Sequence, residues 1–205
     1  MTNPIGKREL NKARKRAEIV DIATRSFFEH GYAATSMSAI AEELGGSKAT
    51  LWAHFASKQD LFAAVIDLQV DSFSQDIDEV LTSQTYSVPA LRRACARFLE
   101  CLLRENAIRL FRLVVSEGGR FPEIKEMFYS RGPVKLRKCV IEFFATRVSE
   151  ARATELSRLM IAMITGFRSD ILLRPSSPSM AEREAFVDSL VEMITRGIPD
   201  QPTPS

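Results

Sequence analysis

Residues 35–55, TSMSAIAEELGGSKATLWAHF, restrict the fold more tightly than any other part of this chain. Ser36 stands where its hydroxyl accepts from the first free amides of a helix over 37–44. Gly45 follows as a left-handed stop, and Ser47 caps a second helix from Lys48 to about Phe55. Two short helices joined by a glycine turn have the outline of a helix-turn-helix.

Unrolled at about 100° per residue, the second helix turns Leu51 and Phe55 to one side, the side that must meet a core. Ala49, Ala53 and Thr50 occupy the opposite side, edged by Lys48 and Trp52 on one flank and His54 on the other. Nothing in two alanines and a threonine prefers water. Small side chains do suit a helix pressed into a major groove, where their methyls can touch a thymine methyl. Trp52, the only tryptophan, offers one N–H to a phosphate on the groove wall, and His54 offers a ring nitrogen. Lys58 adds a charge at the start of the next helix. Singly, Trp52 reads as well as a core residue and His54 as incidental; together with the basic residues on either side they favour the groove.

Those basic residues are concentrated at the N-terminus. Lys7, Arg8, Lys12, Arg14, Lys15 and Arg16 face Glu9 alone, a net +5 within a chain whose total is only +2. The block is either a solubilising tail or a phosphate-gripping arm.

The remaining pattern is helical throughout, and no segment alternates long enough for a strand. Helices are expected over 11–29, stopped at His30-Gly31, then 58 to the early 80s, 89–103, 106–117, 121–147 with a break at Gly132-Pro133, 151–172 and 180–196. The fold class is all-α, with about nine helices: a three-helix head on a larger helical body. A composition of 45% hydrophobic and 26% charged residues is globular, and no apolar run approaches membrane-spanning length. The polar N-terminus is not a secretory signal, so the chain reads as cytoplasmic. Cys95, Cys101 and Cys139 lack metal-site spacing and read as small hydrophobes. There is no nucleophile–base arrangement, phosphate loop or metal motif, so neither an enzyme, a metal nor a cofactor is expected.

Residues 16–66 resemble the DNA-binding domain of the TetR/AcrR family of bacterial regulators. The family's F-x-x-x-G-Y is similar to FFEHGY (27–32), its T-x-x-x-I-A-x-x-x-G to SMSAIAEELG (36–45), and its T-L-Y-x-H-F-x-x-K-x-x-L to TLWAHFASKQDL (50–61). The resemblance implies that Ser36, Thr50, Trp52, His54 and Lys58 hold phosphates, and that Ser38, Ser47, Lys48, Ala49 and Ala53 meet bases. Trp52 departs from the usual tyrosine, and Gly46 from a usual apolar residue, which removes a hydrophobic staple against Leu51. The stretch 110–129 resembles the C-terminal domain of an AefR-like subgroup.

The expected organisation is a basic arm over 1–15, a DNA-binding domain over 16–66, a ligand-binding and dimerisation domain over 67–197, and a tail over 198–205. Phe98, Leu102, Phe111, Arg112, Glu117, Phe121, Phe128, Phe143, Met163 and Phe167 are the candidates to surround a small apolar effector, although aromatics at helical spacing are more often core. Arg112 and Glu117 read either as a buried pair or as the ligand's polar contacts. Leu156, Leu159, Met163, Phe167, Phe186, Leu190 and Ile194 form broad apolar faces suited to a four-helix seam between two copies. The function expected is a transcriptional regulator, a repressor released from a palindromic double-stranded operator by its effector. The alternative is a helical sensor or scaffold without sequence-specific DNA binding.

Overall fold

The computed structural model describes residues 6–45, 48–81, 85–196 and 198; the expectations for Gly46, Ser47 and the proline-containing tail lie outside these. The described residues form ten helices and no strand: α1 (Lys7–Ala34), α2 (Met37–Glu43), α3 (Lys48–His54), α4 (Lys58–Leu81), α5 (Val88–Leu102), α6 (Glu105–Glu117), α7 (Pro122–Arg131), α8 (Pro133–Ala145), α9 (Glu150–Leu173) and α10 (Met180–Thr195). The number exceeds expectation because the chain breaks fully between α7 and α8, where Gly132 precedes Pro133 at the first position of α8.

Serine side chains begin several of these helices. Ser36, Ser87, Ser149 and Ser179 each accept a backbone N–H three residues on, at the starts of α2, α5, α9 and α10. Gly45, at φ 64°, is the left-handed stop after α2.

The helix expected from about residue 11 begins earlier, at Lys7, so all six basic residues of the N-terminal block lie on helical turns. Alanine, lysine, arginine and glutamate dominate this segment and all favour helix. At the other end Gly31, with φ 82° and ψ 170°, interrupts the helix where the sequence placed its stop, and one further turn carries the chain to Ala34.

Two compact units are distinguished. One consists of Met1–Gln69 with Arg109–Tyr129, the other of Val70–Ile108 with Ser130–Ser205. The divisions fall inside α4, α6 and α7. Residues 109–129, expected within the body, therefore pack with the head. The first unit buries Ile19, Ala23, Phe27, Ile40, Leu51, Leu61 and Phe62, with Phe27, Tyr32 and Phe62 in mutual ring contact. In the second unit α8 packs along α9, and α5 packs on α9 and α10, around Phe98, Phe143, Phe144, Leu156, Met160 and Leu190.

Candidate nucleic-acid interface

Helix α3 is only seven residues long, and its register is set from one side. Leu51 is 0% exposed and Phe55 3% exposed, both in the core of the first unit. Lys48, Ala49 and Ala53 are exposed, Thr50 and His54 are half-buried, and Trp52 is 51% exposed. The methyl-sized side of the helix faces outward. On α2, Ser38 is exposed, and Ser36 accepts from the Ala39 N–H at 3.1 Å. Helix α2 is tied back to α1 by Arg25, which donates to Glu43 at 2.9 Å and also pairs with Asp21.

Arg16, a residue the sequence reading left in the basic block, meets the opposite, core-facing side of this segment. Its guanidinium lies 4.7 Å from the centre of the Phe55 ring, a cation–π contact at the end of α3. Arg16 is exposed, but it stands four residues before buried Val20 and seven before buried Ala23, and that spacing was the available signal.

Lys58 requires a correction. It was expected to hold a phosphate, but its Nζ donates to the carbonyls of Tyr32 at 2.6 Å, Ala33 at 3.3 Å and Thr35 at 2.9 Å. The ammonium also sits 4.4 Å from the centre of the Tyr32 ring. An ammonium has three protons, and three carbonyls take them. Burial holds its pKa below the usual value, with Glu117 and Glu123 opposing that shift. Lys58→Met is therefore expected to destabilise the chain by roughly 2 kcal/mol, the order of a few lost charge-assisted bonds at a partly solvated site. The logarithmic salt slope of DNA binding stays unchanged; a slope flatter by about one unit would return Lys58 to the phosphate contacts.

Glu117 is also placed differently from the ligand role considered for it. Its two oxygens accept the backbone N–H groups of Tyr32 and Ala33, each at 2.7 Å. Arg112 is exposed, so the two do not form a buried pair. Of the other ligand candidates, Phe98 and Phe143 are 1% and 3% exposed within the core of the second unit. Leu102, Met163 and Phe167 are partly buried against that core, whereas Phe111, Phe121 and Phe128 belong to the first unit. Phe128 contributes to an open groove of about 590 Å³ in the first unit, together with Val114, Val115, Lys125, Glu126 and Tyr129. Among the described residues no group of His, Cys, Asp and Glu is arranged to hold a metal, and no helix is long and apolar enough to cross a membrane.

The seam residues divide in the same way. Leu156, Leu190 and Ile194 are buried in the core of the second unit at 1%, 0% and 3% exposure, so they cannot also form an outward face. Leu159 is exposed, as is Met193 outside the expected set; Met163, Phe167 and Phe186 are half-buried, with the last two rings stacked 4.0 Å apart.

Comparison with known proteins decides what this arrangement belongs to. The family model for bacterial regulatory proteins of the tetR family matches residues 19–65, which contain α2 and α3. The model for the AefR-like transcriptional repressor C-terminal domain matches residues 89–197. The chain belongs to the TetR family of transcriptional regulators. The regulator is 30% identical over 97 residues to the transcriptional activator FasR of Mycolicibacterium smegmatis, covering 47% of this chain and 44% of that one. It is 38% identical over 69 residues to the transcriptional repressor ComR of Escherichia coli, covering 34% and 33%. The matched stretches span less than half the length of these two relatives. The solved structure of the flavonoid-responsive regulator FrrA superposes with a TM-score of 0.78 at 27% identity, covering 92% of this chain and 99% of that one. The DNA-binding domain of this regulator is thus its N-terminal part, and its relatives are regulators, not enzymes.

Proposed function

We propose that the regulator is a homodimeric, cytoplasmic repressor that releases a palindromic operator when a small, largely apolar molecule binds. The observation that carries the DNA-reading part is the outward face of α3, with Ala49 and Ala53 exposed and Leu51 and Phe55 buried. On this reading Ser38, Ser47, Lys48, Ala49 and Ala53 meet base edges, and Ser36, Thr50, Trp52 and His54 reach phosphates. The AefR-like description of the C-terminal match supports repression, although one relative bears the name of an activator. FrrA's description supports an aromatic compound as the first effector class to try. Exposed Leu159 and Met193, with Met163, Phe167 and Phe186, support a seam formed by α9 and α10. A two-fold dimer places its two α3 helices in major grooves about 34–36 Å apart, or a small multiple of that.

Gel shift on fragments from the regulator's own upstream region tests the reading. Specific retardation is expected, with affinity falling about a thousandfold between 50 and 200 mM salt if six or more phosphates are contacted. Retention indifferent to both sequence and salt would favour a helical sensor or scaffold instead.

A further inference from the structure

The turn between α1 and α2 is gripped from two sides. The reversal at Gly31 takes the next two N–H groups out of the helical ladder, and both donate to Glu117, one to each oxygen. The carbonyls of the same two residues, Tyr32 and Ala33, accept from Lys58. A carboxylate on the donors and an ammonium on the acceptors hold two consecutive peptide units in one orientation. These are charge-assisted bonds, and those to Glu117 and from Lys58 to the Tyr32 carbonyl are short, at 2.6–2.7 Å. The Tyr32 ring adds a third hold, edge-on to Phe121 at 5.2 Å and beneath the Lys58 ammonium. Thr35 closes the turn by donating to the Gly31 carbonyl at 2.8 Å, and the next residue, Ser36, is the cap of α2. Whatever fixes Tyr32 and Ala33 therefore fixes where α2, and with it α3, departs from α1.

Glu117 is the last residue of α6 and lies within 89–197, the stretch matched by the C-terminal family model, far outside 19–65. We propose that Glu117 nevertheless serves DNA reading, as a positioning residue that sets the angle of α2 and α3 and so the half-site spacing the dimer accepts. This rests on the two-headed DNA-binding reading above. Glu117 touches no base in this account. It acts by denying the turn other orientations. Glutamine at this position keeps one acceptor oxygen and turns an NH₂ donor toward the second amide, so one bond is lost and two donors face each other. The outward face of α3 is unaffected, and recognition within a single half-site survives.

The experiment compares wild type, Glu117→Gln and Glu123→Gln on the palindromic duplex footprinted in the regulator's own upstream region. The same duplex is tested with one base pair inserted or deleted between half-sites, and as a single half-site. Glu123 lies close enough to act on Tyr32 electrostatically but accepts neither amide, so it is the control. Glu117→Gln is expected to lose about tenfold in affinity at the natural spacing and little at the altered spacings. Its affinity for the single half-site stays at the wild-type value, and Tyr32 and Ala33 amides exchange faster. Glu123→Gln keeps the wild-type preference. A merely structural role would lower all duplexes in parallel. A folded Glu117→Gln protein with the wild-type spacing preference overturns the proposal; if that variant does not fold, the same comparison on Glu117→Asp decides. A wild-type protein blind to spacing would instead sink the two-headed reading itself.

Discussion

Ala49→Glu is expected to remove specific operator binding from a chain that stays folded. Ala49 is exposed on α3, so the substitution buries nothing. Glutamate is a good helix former, and a carboxylate in the first turn of a helix is favoured by the dipole. The helix itself therefore tolerates the change. The groove does not. The new side chain holds the backbone off the base edges and brings a negative charge among phosphates, a juxtaposition that costs several kcal/mol. A loss of roughly 3 kcal/mol corresponds to a little over a hundredfold in affinity. Anisotropy titration of labelled operator, with circular-dichroism melting alongside, measures both halves of the expectation. Leu51→Glu, on the opposite side of the same helix and 0% exposed, marks the contrast: it should lose the fold together with the binding. Specific binding retained by Ala49→Glu would show that α3 does not read the groove.

The contrast between Ala49 and Leu51 is the kind of information a sequence carries openly. Caps, glycine stops and the 3.6-residue period are local, so the starts of α2, α5, α9 and α10 and the outward side of α3 were legible from stretches of ten residues or fewer. What was not legible depends on distance along the chain. The bonds from Glu117 to Tyr32 and Ala33 span 85 and 84 residues and leave no periodic trace. A partial signal existed: a glycine inside FFEHGY frees amides that must find acceptors, but nothing local names the acceptor. Lys58 was misread for a related reason. A lysine at the start of a helix beside a reading head suggests a phosphate, and only the folded turn shows three carbonyls already waiting for it.

Apolar faces were similarly ambiguous. Helices α9 and α10 carry apolar residues on more than one side, and periodicity states that they are buried without saying against what. Leu156, Leu190 and Ile194 go to the chain's own core, while Leu159 and Met193 are left outside. The N-terminal block resembled an arm because its composition is polar; yet polar residues with high helix propensity continue a helix as readily as they end one. The helix-turn-helix was legible because α3 is short and its outward side is defined by residues four apart, Ala49 and Ala53.

Gly31→Ala is the substitution expected to be most damaging to the head outside its core. At φ 82° and ψ 170° Gly31 occupies a region open essentially to glycine alone, and a residue with a Cβ there pays a strain of about 1–3 kcal/mol. The added methyl would also overlap Oε1 of Glu117. That atom is the end of a flexible side chain, so the overlap itself is easily relieved by withdrawal. Withdrawal, however, breaks both bonds to Tyr32 and Ala33 and leaves two amides with no acceptor in the turn. The two effects together come to roughly 3 kcal/mol or more, which for a chain of this size lowers the melting temperature by about 6 to 12 °C. Combining substitutions separates the contributions. In a Glu117→Ala background the carboxylate is already gone, so Gly31→Ala should destabilise by the backbone strain alone, and the double variant should fall short of the sum of the singles. Full additivity would mean that Gly31 and Glu117 act independently, and that the glycine is kept for its backbone angles and not for the carboxylate that approaches it.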